Sequence, residues 1–165
     1  MSDPDWDRWV HASIARHFEL AVETTAFPMF VETEHRNTSV ATGNNVKGKD
    51  LFELRIDGPR STELSSNYWE LYTEINVLIQ STMDDDDSHR LLRSVGSVKA
   101  AFSIIQIFKF GDGVNDDQTL LGCMKILMDP RRREHLETHM LGQIGDDTEL
   151  TQAMVEGHYK MCLRT

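Results

Sequence analysis

The sequence predicts an α+β fold, in which a mostly antiparallel β-sheet carries two helices packed on one face and a long polar arm between two strands. Two stretches repeat apolar residues at the helical spacing of three and four, and several others alternate apolar and polar residues as strands do. Short turns join most of the strands, which favours antiparallel pairing. The elements follow in the order helix, three strands, helix, four strands, and 165 residues fit a single domain spanning 1–165.

The first predicted helix begins close to the N-terminus. Asp3 is suited to cap it, and Pro4 suits its first position, where no backbone N–H is needed. The segment 26–28, Ala-Phe-Pro, ends it. We expect its apolar stripe to lie in the core. The stripe consists of Trp6, Trp9, Val10, Ile14, Phe18 and Val22.

A short strand is predicted at 29–33, and a polar segment follows it at 35–50. The segment holds two glycines and three asparagines and has almost no apolar content. We interpret it as an extended loop or arm, because a loop of this length is usually functional or disordered.

Two strands are predicted after the arm. Apolar and charged residues alternate over 52–57, and Gly58-Pro59 is expected to end that strand with a turn. The segment 68–80 has the strongest strand pattern, with two distinct faces. One face carries Trp69, Leu71, Thr73, Ile75, Val77 and Ile79, and the other carries Tyr68, Glu70, Tyr72, Glu74, Asn76, Leu78 and Gln80.

The second predicted helix follows the acidic run Asp84–Asp87. Asp87 or Ser88 is suited to cap it, and the negative charges favour a helix N-terminus. Its apolar positions are Leu91, Leu92, Val95, Val98 and Phe102. Four strands at 104–110, 119–128, 134–144 and 150–163 complete the chain.

Composition bounds the function classes. With 17 Lys and Arg against 27 Asp and Glu, the net charge is −10, which argues against non-specific nucleic-acid binding and against docking to anionic membranes. The acidic start lacks the pattern of a signal peptide, and no apolar run is long enough to span a membrane. We expect synthesis in the cytoplasm, with Cys123 and Cys162 as small core residues in a reducing compartment.

The segment 111–116, Gly-Asp-Gly-Val-Asn-Asp, matches a magnesium-binding signature of the haloacid-dehalogenase superfamily. Asp84-x-Asp86-x-Ser88 imitates that superfamily's nucleophile motif. The two motifs stand too close together for the intervening helices and catalytic lysine, and the surrounding pattern is strand-turn-strand. We therefore interpret 111–116 as a hairpin turn.

No other catalytic or metal-binding motif is convincing, and we expect no cofactor and no enzymatic activity. The acidic run at 84–87 does not follow the EF-hand spacing, so a weak structural Mg²⁺ or Ca²⁺ at a subunit contact is the alternative to helix-start electrostatics. His135 and His139 fall in a predicted strand roughly 13 Å apart, and the seven histidines are interpreted as surface residues. No nucleophile elbow is present.

Long strands leave edges that a protein must hide, and ring formation is one way to hide them. The order of elements, with an amphipathic helix, a hairpin carrying a long arm, a long central strand, a second helix and a closing sheet, resembles the tail terminator proteins of long-tailed bacteriophages. Short stretches are also similar to minor virion proteins of phage structural modules. These are DGP (57–59), ELSSNYW (63–69), EINVLI (74–79), LGCM (121–124) and VEGHYKM (155–161).

The resemblance implies a structural virion protein of the tail or neck, in which six copies form a ring. The ring would cap the tail-tube protein and join it to the head-connector or stopper protein, with genomic DNA passing through the lumen without specific binding. A tail-tube or stopper subunit is one alternative, and a small α+β enzyme or ligand-binding protein is another.

The candidate contacts for a second subunit or a virion partner lie in the arm, in the turn at 111–118 and in the basic run that follows Asp129-Pro130. They are Arg36, Asn37, Asn44, Asn45, Lys47, Lys49, Asp112, Asn115, Asp116, Arg131, Arg132 and Arg133.

Overall fold

A computed structural model describes residues 6–23, 29–31, 50–66, 68–82, 89–109, 119–127, 135–144 and 147–164. Two helices and seven strands follow one another in the predicted order of helix, three strands, helix, four strands. They are α1 (Trp6–Glu23), β1 (Met29–Val31), β2 (Leu51–Ser65), β3 (Tyr68–Thr82), α2 (Arg90–Ala101), β4 (Ile105–Lys109), β5 (Thr119–Ile126), β6 (Leu136–Ile144) and β7 (Asp147–Arg164).

The strands form one seven-stranded sheet in the order β1-β2-β3-β7-β5-β4, with β6 also paired to β7. The pairing is antiparallel throughout the described strands except between β1 and β2, which run parallel. The last strand, β7, is the centre of the sheet. It pairs with β3 on one side, and on the other side with β6 along its first part and with β5 near Lys160.

Both helices pack on the same face of this sheet, which we call the inner face. Alternate residues of the strands point to it and are buried together with the predicted stripe of α1, of which Trp6 is only partly buried. The rings of Phe18 on α1 and Phe102 after α2 meet edge to face at 5.0 Å, and Phe102 stacks on Tyr159 of β7 at 6.2 Å. The α+β architecture with helices on one face of a mostly antiparallel sheet is therefore confirmed.

The predicted turn at Gly58-Pro59 is wrong, because β2 continues through it to Ser65. The register between β2 and β3 shifts between Asp57 and Arg60, so a bulge absorbs the Gly-Pro pair. Gly58 has a φ of +109°, and a Cβ there would lie 2.9 Å from the Tyr72 carbonyl oxygen. Proline is tolerated at such a bulge because its missing N–H interrupts no ladder bond.

Two further expectations need correction. Leu92, predicted for the apolar stripe of α2, is 56% exposed, whereas Val95 and Val98 are buried as expected. Asp50, predicted as the last residue of the polar arm, is fully buried. Its carboxylate accepts hydrogen bonds from Ser81 on β3 and from Ser94 and Arg90 on α2, so it fastens the start of β2 to both elements. The rest of the predicted arm lies outside the described residues.

Neither α1 nor α2 combines the length and apolar character that a helix needs to cross a membrane. The helices are shorter than the longest strands. Each strand of the β2–β3 hairpin has 15 residues and is roughly 50 Å long, while the 18 residues of α1 extend roughly 27 Å. The hairpin is therefore longer than α1, and its residues 60–66 are exposed.

Candidate functional site on the outer face of the sheet

The outer face is the side of the sheet turned away from α1 and α2. It is formed by the side chains that alternate with the core residues of β3 and β7, and most are half-buried because neighbouring side chains shield one another. On the two central strands these are Tyr72, Glu74, Asn76, Leu78, Gln80, Gln152, Met154, Glu156, His158 and Lys160.

A cluster of two carboxylates and one imidazole lies at the middle of this face. In the β3–β7 register Glu74 is directly opposite His158, and Asn76 is directly opposite Glu156. Residues two apart on one strand share a face, so the pair Glu74 and His158 lies next to the pair Asn76 and Glu156. As a result, one ligand atom from each of Glu74, Glu156 and His158 lies within 4.8 Å of the other two. We call these three residues the Glu–Glu–His cluster.

The imidazole of His158 is held on both nitrogens. Its Nδ1 is hydrogen-bonded to the hydroxyl of Tyr72 at 2.5 Å, and the two rings stack at 5.8 Å with 21° between their planes. Its Nε2 lies 3.1 Å from Oε1 of Glu156. The ring is thus oriented so that Nδ1 faces the tyrosine and Nε2 faces the carboxylate.

Asn76 supports the cluster and leaves one polar atom unused. Its Nδ2 donates to Oε1 of Glu74 at 3.0 Å. Its Oδ1 is buried and has no hydrogen-bond partner among the described residues. A buried acceptor without a partner is uncommon in native proteins, and each instance requires an explanation.

The surroundings of the cluster are rich in negative charge. Burial raises the pKa of the Tyr72 hydroxyl, Glu74 and Glu156 raise it further, and Arg60 opposes them. Tyr72 therefore keeps its proton at neutral pH. On β6, Nε2 of His139 lies 3.5 Å from Oε2 of Glu137 and 4.0 Å from Oε2 of Glu156, so a second histidine borders the same carboxylate.

The far end of the β2–β3 hairpin is a second feature without a role in the core. Every residue from 60 to 66 is exposed, and Leu64 is 56% exposed. Among the described residues, the edge of β2 that faces away from β3 is paired only at 52–54, with β1. His11 of α1 donates from Nε2 to the Gly58 carbonyl at 2.6 Å, so α1 contacts β2 just before the exposed residues begin.

A groove of about 500 Å³ lies between α1 and the edge strand β4. Two of its polar side chains already serve the fold. Ser13 Oγ accepts a hydrogen bond from the Phe108 N–H at 3.0 Å, and His17 Nε2 donates to the Ala101 carbonyl at 2.9 Å. We therefore interpret the groove as part of the packing interface between α1 and the edge of the sheet.

All twelve candidate contact residues lie outside the described part of the chain. Arg36, Asn37, Asn44, Asn45, Lys47 and Lys49 fall in the arm, Asp112, Asn115 and Asp116 fall in the turn, and Arg131, Arg132 and Arg133 fall in the basic run. The acidic run at 84–87 and the turn interpretation of 111–116 also lie there. Their roles stay predictions.

The sequence reasoning missed the Glu–Glu–His cluster. The alternation that puts Glu74 on one face of β3 and Glu156 and His158 on one face of β7 was visible, but the pairing of these two distant strands was not. The histidines were expected to be surface residues without a role, and His158 on the outer face is half-buried and bonded on both ring nitrogens. The expectation of two core cysteines is also wrong, because Cys123 is half-buried and Cys162 is exposed.

Comparison with models of known protein families and with curated proteins finds no match to this sequence.

Proposed function

We propose that this chain is a structural subunit of a bacteriophage tail, a tail terminator that forms a ring of six copies. The order helix, three strands, helix, four strands, which is part of the resemblance, is also the order in the fold. The expected hairpin that carries the arm is wrong, because β1 and β2 run parallel. In this role the ring caps the tail-tube protein and receives the head-connector or stopper protein. The chain is made in the host cytoplasm and ends in the neck of the virion. The proposal assigns it no chemical reaction.

The exposed far end of the β2–β3 hairpin is the observation that carries this proposal. Residues 60–66 are exposed and, among the described residues, pair with no strand on their second edge. An unpaired strand edge is a template for pairing with another chain, so a protein that keeps a long one has a use for it. In a closed ring each hairpin covers its neighbour, and no edge remains free.

The charge of the chain is compatible with DNA passage. A negative lumen would repel phosphates, so that the genome slides through without sticking, and a net charge of −10 fits such a lumen. Net charge alone is shared with many other proteins, and we therefore give it less weight than the hairpin.

Immunogold labelling of phage particles that carry this chain tests the proposal. A tail terminator predicts label confined to the junction between head and tail, at the copy number of one ring. A tail-tube subunit would instead be labelled along the tail, at dozens of copies. Particles without label, beside label in the lysate that produced them, would contradict a virion role.

A further inference from the structure

We propose that Glu74, Glu156 and His158 form a binding site for one divalent transition-metal ion of the Zn²⁺ class on the outer face of the sheet. The proposal does not depend on ring formation, because all three ligands come from one chain. The three ligands lie on two neighbouring strands of the sheet. Zinc sites with three protein ligands leave the fourth coordination position open to water or substrate.

The ligand distances are close to what the ion requires. A tetrahedral ion with bonds of about 2.0–2.1 Å holds its ligand atoms roughly 3.3 Å apart. Nε2 of His158 and Oε1 of Glu156 are already 3.1 Å apart. All three ligand atoms lie within 4.8 Å of one another, so a shift of roughly 1.5 Å by the Glu74 carboxylate completes the set. Rotation about the glutamate side chain supplies a movement of that size.

The second nitrogen of His158 has the partner that a metal-binding histidine needs. Such histidines bind the ion through one nitrogen and donate from the other to an oxygen, which fixes the ring. The Tyr72 hydroxyl, 2.5 Å from Nδ1, can both donate and accept. Without metal it donates to Nδ1 while Nε2–H points at Glu156. With metal on Nε2, the proton is on Nδ1 and the hydroxyl accepts it.

Asn76 lies next to the cluster and carries an oxygen without a partner. Its Oδ1 is buried beside the cluster without a hydrogen-bond partner among the described residues, while its Nδ2 holds the Glu74 carboxylate. An amide oxygen cannot be protonated at neutral pH, so only a donor or a cation satisfies it. A divalent ion between Glu74 and Glu156 would relieve the repulsion between the two carboxylates.

The donor set selects the kind of metal. An imidazole favours zinc and other first-row transition ions over Mg²⁺ and Ca²⁺, which prefer oxygen ligands. We therefore expect millimolar Mg²⁺ not to displace the ion. This separates the site from the acidic run at 84–87, whose all-oxygen side chains would favour the harder ions.

Isothermal titration of chelator-treated, tag-free protein with Zn²⁺ tests the assignment. We expect one ion per chain, and weakening of binding by at least about tenfold in each of Glu74→Gln, Glu156→Gln and His158→Gln. Tyr72→Phe removes only the orienting hydroxyl and should weaken binding by about tenfold. The matched controls are Glu53→Gln, on the same face of the sheet, and His135→Gln, at an exposed position. Their Zn²⁺ affinity should stay within about twofold of the wild-type value.

Substitution of Co²⁺ provides a second readout, because its visible absorption strengthens when fewer than six ligands surround it. The spectrum should appear in the wild type and be lost in His158→Gln. Circular dichroism checks that each variant is folded, and three separate ligand variants keep the test valid if one is not. No uptake by the wild type would overturn the proposal. Uptake that the ligand variants leave unchanged would also overturn it and would assign the ion to other residues.

Discussion

The two faces of strand β3 share one backbone but differ in what they contact. Ile75 and Val77 point to the inner face and are fully buried beneath the helices. Glu74 and Asn76 point to the outer face, where they are half-buried and contact other polar side chains. The inner face is therefore where the free energy of folding is concentrated, and the outer face is available for binding. Substitutions on the two faces should separate these properties.

The largest effect on the free energy of unfolding is expected at Asp50, a charged residue that is fully buried. Its carboxylate accepts from two serine hydroxyls and from Arg90, whose side chain is 17% exposed, so Asp50→Ala removes one buried acceptor that all three share. We expect a loss of about 3–5 kcal/mol in the free energy of unfolding, measured by urea denaturation. Asp57→Ala, which breaks an exposed pair with Arg60, is the control and should change stability by less than about 1 kcal/mol. Equal losses in the two variants would contradict the role of burial.

Truncation of the apolar core is the next effect in size. Ile75→Ala removes a fully buried side chain and should lower the free energy of unfolding by about 2–5 kcal/mol. Gln80→Ala, on the outer face of the same strand, should stay within about 0.5 kcal/mol. Similar destabilisation by both substitutions would show that the outer face is also covered.

Adding one methyl group tests how closely α2 and β7 approach. A Cβ at Gly157 would lie 2.6 Å from Cε1 of Phe102, so Gly157→Ala should lower stability by about 1–3 kcal/mol. Gly96 on α2 has open space around it, so Gly96→Ala should raise stability by about 0.5–1 kcal/mol through helix propensity alone. Thermal unfolding should give shifts of opposite sign, and a fall in both variants would contradict the packing.

The smallest effect concerns Tyr159, the one tyrosine of the inner-face core. Burial raises the pKa of its hydroxyl, which donates to the Ser103 carbonyl at 3.0 Å. The folded state therefore keeps this proton after the unfolded chain has lost it, so stability should fall as pH rises above about 10. Tyr159→Phe should lose about 1 kcal/mol at neutral pH and show a flatter decline in alkali. An unchanged slope would mean that another group causes the decline.

The part of the fold that follows from sequence is the part set by local periodicity. The stripe of α1 and the alternation of β3 and β7 fixed which residues face the core, because each pattern is complete within its own segment. Asp50 was missed because its partners Ser81, Arg90 and Ser94 belong to other elements. The Glu–Glu–His cluster was missed for the same reason, since it exists only where β3 meets β7.

The central claim is that the exposed end of the hairpin holds neighbouring copies together. Light scattering at high protein concentration, with and without Mg²⁺, should give a mass about six times the 18.9 kDa of one chain. Leu64→Ser should reduce it to that of the monomer. Leu92→Ser should not, although Leu92 has the same 56% exposure on α2. A wild-type monomer under both conditions, or a ring that tolerates Leu64→Ser, would contradict the claim.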